Sequence, residues 1–206
     1  DHWPERADVV IIGGGYTGFG AAIPLARAGL DVVILERDQI GSGASTRNGG
    51  ITSGNLRLSF DDLTKKFGAK KAAAFYQEAK AARADLAQFI TSEKIDCDLQ
   101  QSGRLVGALR SESLDSMKRD AERLTKLLDI DATVYDQTSL PDYIDTSRYC
   151  GGMMRDDIGG IHPAKLLAGM CQIARANSVK IITQTKMIAV SQKSTSSPTP
   201  EFRVET

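Results

Sequence analysis

An α/β fold is predicted by three features of one short stretch, Ala7 to Glu36. Val9 to Ile12 is an apolar, β-branched run, which reads as a buried parallel strand. Gly13, Gly15 and Gly18 follow in the spacing G-x-G-x-x-G and open a helical stretch, rich in alanine and leucine, from Tyr16 to Ala28. A second apolar strand, Val32 to Leu35, ends on Glu36. Strand, glycine turn, helix and strand together describe a Rossmann-like βαβ unit that binds a dinucleotide.

Each part has a chemical reason. Gly13 permits the tight turn out of the strand, and Gly15 lets a pyrophosphate approach the backbone with no Cβ in the way. Gly18 lets the helix pack close against the sheet. The helix start, with Tyr16 and Thr17 inside the turn, offers free N–H groups and a positive dipole end to phosphates. Gly29 closes the helix as a C-cap, and Asp31 leads into the second strand. Glu36 stands where an acid accepts hydrogen bonds from ribose hydroxyls. An acid there disfavours a 2′-phosphate and so argues against NADP, but it does not separate NAD from FAD.

The bulk numbers exclude other classes. The 206 residues are enough for one large domain or two small ones. Lys plus Arg and Asp plus Glu are 26 each, so the net charge is zero and nothing points to nucleic acid or to an anionic membrane surface. Cys97, Cys150 and Cys171 are widely spaced and form no C-x-x-C pair. They read as reduced thiols of a cytoplasmic protein, with no disulfide framework and no metal site. No apolar run is long enough to span a membrane, and no signal-peptide core is evident. The chain opens on Asp1 rather than Met, which reads as trimming, and His2 and Trp3 fall in a polar, poorly ordered lead-in.

Arg37 to Gly50 is the second informative stretch, with four glycines, small hydroxyl residues, Arg47 and Asn48. Such a segment exposes backbone N–H groups and can fold around an anion or a flat ring. It follows the strand that carries the ribose acid, on the sheet edge where ligands bind.

Three runs carry a resemblance: G-G-G-Y-T-G at Gly13 to Gly18, L-E at Glu36, and G-S-G-A-S-T-R-N-G-G at Gly41 to Gly50. Together they resemble the FAD-dependent oxidoreductases of the D-amino-acid-oxidase class. Within it they are most similar to the group of γ-glutamylputrescine oxidoreductase, glycine and sarcosine oxidases and D-amino-acid dehydrogenase. The resemblance implies FAD as cofactor and hydride transfer from an amine or amino acid to flavin N5, with hydrolysis of the imine. It implies that Arg37, Gly43 and Ala44 line the path from the ribose, that Ser45 and Thr46 lie near the pyrophosphate, and that Arg47, Asn48, Gly49 and Gly50 lie nearest the ring. Arg47 is there either a group that polarises the flavin or meets an anionic substrate, or a solvated arginine.

Asp61 and Asp62 suit the start of a helical region after a link from Ile51 to Phe60. Ala69 to Ile90 has Ala72, Phe75, Tyr76, Ala79, Leu86, Phe89 and Ile90 on one face, with Lys70, Lys71, Lys80 and Arg83 on a solvated one. Cys97 to Gln101 and Gly103 to Arg110 read as short strands, Ser111 to Leu128 as an amphipathic helix and Ala132 to Tyr135 as a strand. Leu140 to Tyr143 and Asp156 to Gly160 read as turns. Pro163 suits the first turn of a helix from Ala164 to Ala176. His162 is either a proton acceptor near substrate or, as favoured here, an N-terminal hydrogen-bonding residue. Ser178 to Thr183 is a strand beside the first two, Ser191 to Pro200 a hairpin loop and Glu201 to Thr206 the returning strand. The resemblance implies that the backbone at Met187 contacts the adenine.

The expected organisation is an FAD-binding domain begun by residues 7–95, the first part of an α+β substrate-binding domain over 96–150, and a return to the FAD-binding domain over 151–206. The resemblance covers nearly all of this chain but about half of a family member. The chain therefore reads as incomplete, its partner being the remaining C-terminal part of the same enzyme. No catalytic residue is assigned from these residues. The rival readings are an NAD-binding dehydrogenase, which leaves Gly41 to Gly50 without a role, a flavin monooxygenase or halogenase, and a nucleotide-binding module without activity of its own.

Overall fold

The computed structural model describes residues 4–193 and 200–206. In chain order the elements are β1 (Val9–Ile12), α1 (Tyr16–Arg27), β2 (Val32–Leu35), β3 (Ile51–Ser53), α2 (Phe60–Phe67), α3 (Ala69–Ser92), β4 (Arg104–Ala108) and α4 (Ser111–Leu128). They continue with β5 (Ala132–Asp136), a 3₁₀ turn (Leu140–Asp142), β6 (Gly151–Arg155), β7 (Ile158–Gly160), α5 (Pro163–Ala176), β8 (Lys180–Ile182), β9 (Ala189–Gln192) and β10 (Phe202–Glu205). His2 and Trp3, and most of the hairpin loop expected over Ser191 to Pro200, lie outside the described residues.

The chain forms two compact units. One is built from the described residues up to Gly49, from Glu93–Cys97 and from the described residues after Ile161; the other is Gly50–Ser92 with Asp98–Ile161. These units divide the chain at other points than the domain boundaries expected at residues 95 and 150. The physical reason is a long-range pairing: β3 pairs antiparallel with β7, Ile51 opposite Gly160, which draws the segment after Gly49 and the two helices behind it into the second unit.

In the first unit, β1, β2 and β8 make a parallel sheet in the order β1-β2-β8. Its central strand β2 is buried at all four residues, as a strand with neighbours on both sides must be. β1 has one partner in this sheet, and Val10 and Ile12 are 38% and 47% exposed, so β1 is an edge here rather than the buried strand its composition suggests. Phe19, Ala22 and Ile23 of α1 and Leu166, Leu167 and Ala174 of α5 are buried. Gly29 sits at φ +87, just past the end of α1, as a C-terminal glycine should. β9 and β10 pair as an antiparallel hairpin.

In the second unit, β6 lies between β4 and β5 in an antiparallel sheet. Leu63, Ala72, Tyr76, Leu128 and Ile130 form a buried cluster, with the Phe60 ring edge-on to Tyr76 at 5.9 Å. Arg155 is buried and satisfied: Nε and Nη2 donate to the two carboxylate oxygens of Asp157 at 2.9 and 2.6 Å, and Nη1 donates to Asn55. Lys80 does not simply face solvent. Its Nζ donates to the Asp129 carbonyl (2.6 Å) and carboxylate (2.8 Å), satisfying a carbonyl at the end of α4.

Other expectations shift for local reasons. Ser59, not Asp61 or Asp62, caps α2, its Oγ accepting the Asp62 N–H at 3.1 Å, and the two acids fill the first turn. Cys97 to Gln101 is not a strand. Asp98 takes φ +54, which breaks extended backbone, and only Gln100 bridges to Gly160. Phe75 is 42% exposed and packs edge-on against Phe67 rather than inward. Residues 158–160, expected as part of a turn, are strand β7.

Asp136 illustrates how a turn is held by one carboxylate. Its Oδ1 accepts the N–H and O–H of both Thr138 and Ser139, at 2.6–3.0 Å. These bonds hold its pKa well below the usual carboxylate range. A folded pKa below the unfolded one stabilises at neutral pH, and that contribution is lost as pH falls through the unfolded carboxylate range toward the folded value. Asp136→Asn should therefore lose less stability than the parent protein between neutral and acid pH, measured by urea unfolding across that range. Parallel losses in both proteins would contradict this.

Candidate dinucleotide site

Glu36 is the centre of the site. It directly follows β2, with its backbone N–H donated to the Ile182 carbonyl of β8 (2.8 Å) and its carbonyl accepting the Thr185 N–H (2.8 Å). Its side chain turns back on the glycine loop: Oε2 accepts the Gly14 N–H at 2.8 Å and Oε1 accepts the Asp38 N–H at 3.0 Å. Each carboxylate oxygen keeps a further acceptor position, which is what ribose hydroxyls require.

The glycine loop is fixed by contacts only glycine allows. Gly13 takes φ +101, and its N–H donates to the Leu35 carbonyl at 2.8 Å. A Cβ on Gly18 would lie 2.0 Å from the Gly13 carbonyl oxygen, so α1 starts in contact with the loop before it. Gly15 is the N-cap of α1 and brings no side-chain hydrogen bond. The first-turn N–H of Tyr16 is instead donated to Ser45 Oγ at 3.1 Å. A Cβ on Gly15 would lie 2.9 Å from that same Oγ, so the second glycine-rich segment rests directly on the phosphate loop.

That segment is folded on itself. Thr46 Oγ1 donates to the Gly41 carbonyl at 2.5 Å, the Arg47 N–H donates to Ala44 at 3.1 Å, and Asn48 Nδ2 donates to Ala44 and Ser45 at 3.1 and 3.2 Å. Gly41 sits at φ +90.

A cleft of about 410 Å³ lies between these parts, within the range of small-molecule sites. Of the residues expected from sequence, Gly13, Gly15, Glu36, Arg37, Gly43, Ala44, Ser45 and Met187 line it. Tyr16, Thr17 and Gly18 form the start of α1, while Thr46, Arg47, Asn48 and Gly49 follow the lining residues in the chain. Gly50 falls in the second unit. His162 is the N-cap of α5, its Nδ1 accepting the Lys165 N–H at 3.4 Å, in line with the hydrogen-bonding reading.

Sequence reasoning missed Gly14, Thr185 and Lys186, which also line the cleft. Gly14 is legible in retrospect as the middle of a triple glycine; a Cβ there would meet the end of the Ile40 side chain at 2.4 Å. Thr185 and Lys186 carry no local signal, since their place depends on β8 pairing beside β2. Among the described residues no group of three or more His, Cys, Asp or Glu comes together to hold a metal. No described helix is long and apolar enough to cross a membrane.

The fold and the cleft define a dinucleotide-binding α/β unit. The sequence profile of the FAD dependent oxidoreductase (DAO) family matches residues 8–202, and the chain belongs to that family. It is 30% identical over 174 residues to gamma-glutamylputrescine oxidoreductase of Escherichia coli, a match that covers 84% of this chain and 41% of that protein. Its fold is that of glycine oxidase from Geobacillus kaustophilus (TM-score 0.76, 20% identity, 91% of this chain and 49% of that one). It is also that of FAD-bound L-alpha-glycerophosphate oxidase from Mycoplasma pneumoniae (TM-score 0.72, 20% identity, 92% and 48%). The chain thus spans less than half the length of each of these proteins.

FAD is the cofactor of this family, and the residues fit its nucleotide half. An acid is bound to the glycine loop, Gly15 at the N-cap of α1 lines the cleft, and a Cβ on Gly15 would crowd Ser45 Oγ of the cleft lining at 2.9 Å. Gly15→Val should abolish FAD binding, and Glu36→Ala should weaken it by about 1–3 kcal/mol, the range for hydrogen bonds to a charged group. Titration of flavin fluorescence checks both; unchanged affinity in either variant would contradict the site.

Proposed function

We propose that this chain is the nucleotide-binding portion of an FAD-dependent oxidoreductase that oxidises a small amine or amino acid. The observation that carries the proposal is the Glu36–Gly14 bond in the wall of a cleft also lined by Gly15, the N-cap of α1, in a member of this family. When bound, FAD supplies the two-electron acceptor, and the substrate amine leaves as an imine that water hydrolyses.

The chain's own residues bind and orient. Glu36 holds the ribose, Gly15 and the positive end of α1 face the diphosphate, and Ser45 and Thr46 stand beside it. Met187 receives the adenine through its backbone. Arg47, Asn48, Gly49 and Gly50 continue toward the ring, where Arg47 supplies a cation for the flavin or for an anionic substrate group. The remaining C-terminal part of the enzyme completes the substrate site. Residues 7–95 and 151–206 serve the cofactor and residues 96–150 the substrate domain, with Gly50–Ser92 packing in the second unit. The three cysteines, none of them in a disulfide, suit a reducing compartment such as the cytoplasm.

Amine chemistry is preferred because the relative at 30% identity acts, by its name, on γ-glutamylputrescine. The fold does not choose the substrate, since it is shared with an oxidase of glycerophosphate. Anaerobic mixing of the FAD-loaded full-length protein with polyamine derivatives, N-methyl amino acids and D-amino acids should bleach the flavin absorbance with at least one of them. Bleaching by glycerophosphate alone would overturn the amine reading.

A further inference from the structure

The cleft wall contains a cation that the βαβ pattern does not account for. The charged residues of the lining are Glu36, Arg37, Asp38 and Lys186. Three of them are already engaged. Glu36 accepts the Gly14 and Asp38 N–H groups, and Arg37 Nε donates to Asp38 Oδ2 at 3.0 Å. Lys186 Nζ makes no hydrogen bond or ion pair among the described residues. The backbone before it is held in place. After β8 the chain bends at Gln184, which takes φ +53, a left-handed conformation uncommon for a residue with a side chain. The Gln184 N–H donates to the Asp38 carbonyl at 3.0 Å, the Thr185 N–H to the Glu36 carbonyl at 2.8 Å, and Thr185 Oγ1 to the Thr183 carbonyl at 3.1 Å. Thr185 is buried. The bend is thereby anchored to Glu36 and Asp38, and the next two residues, Lys186 and Met187, line the cleft.

We propose that Lys186 is a binding residue for the dinucleotide, the cation that offsets the Glu36 and Asp38 carboxylates and draws the doubly charged diphosphate into the cleft. Without it the charged lining is two carboxylates and one guanidinium, an excess of negative charge facing an anion. With it the lining is neutral before binding. A lysine suits this task, because its ammonium is a compact point charge on a flexible stem and can follow the phosphates. It does so without giving up a bond inside the protein. The inference rests on the reading that this cleft takes FAD.

The test is FAD titration of the full-length protein and its Lys186→Arg, Lys186→Gln and Lys186→Glu variants, with ADP as a competitor and melting of the cofactor-free proteins as a parallel readout. Affinity should follow charge. Lys186→Arg should bind FAD like the parent, Lys186→Gln about two- to fivefold more weakly at low salt, the range of an exposed ion pair, and Lys186→Glu more weakly still. The differences should narrow as salt is raised, because the interaction is screened. ADP, which carries the diphosphate without the flavin, should follow the same order, while cofactor-free melting stays level. Unchanged affinity in the Gln and Glu variants, a loss that salt does not alter, an order seen with FAD but not with ADP, or losses matched by lower cofactor-free melting would overturn the role of Lys186 while leaving the cofactor reading intact. A parent protein that binds neither FAD nor ADP would instead remove the cofactor reading and this inference with it.

Discussion

The structure of the first unit depends on one carboxylate. Glu36 leaves β2 and binds the Gly14 amide across the strand gap, while its backbone bonds to Ile182 and Thr185. A half-buried carboxylate that accepts two backbone N–H groups is stable only if the loop opposite is fixed, and the loop is fixed by the glycines. Gly13 turns with positive φ, and Gly18 admits the Gly13 carbonyl where any Cβ would collide. The helix start, the glycine loop and Glu36 thus specify one another. The segment at residues 41–48 then seats on this assembly through Ser45.

The elements with strong periodicity were legible to the residue. β1, β2 and α4 fall on the expected bounds because a continuous apolar run or a 3.6-residue repeat leaves little choice of register. What was not legible depends on distant partners. β3 and β7 are three residues each, one of them mostly glycine, and exist only because they pair with each other over more than a hundred residues. That pairing also sets the end of the first unit's opening segment at Gly49. The burial of β1 was over-read for the same reason: composition reports what a strand can bury, not how many neighbours it has.

The site divided similarly. The glycine loop and Glu36 were readable because each residue type has a local physical reason to be there. Gly43, Ala44 and Ser45 were placed through a family resemblance, and the contact of Ser45 with the Tyr16 amide supplies the physical reason. Lys186 and Thr185 were invisible, since nothing in Gln184 to Val190 marks which backbone will lie beside Glu36. The side chain of Tyr16 was hidden in another way. Its position belongs to a motif that explains it by backbone alone, and its partner Pro163 lies 147 residues further along the chain.

The central claim is that the cleft under Glu36 receives the adenosine diphosphate half of FAD. A crystal structure of the FAD-bound protein tests it most directly. It should show the diphosphate within hydrogen-bond distance of the amides that open α1 and the ribose hydroxyls on Glu36, with the Gly14 and Asp38 bonds retained. A diphosphate held elsewhere, with Glu36 bonded only to Gly14 and Asp38, would contradict the account.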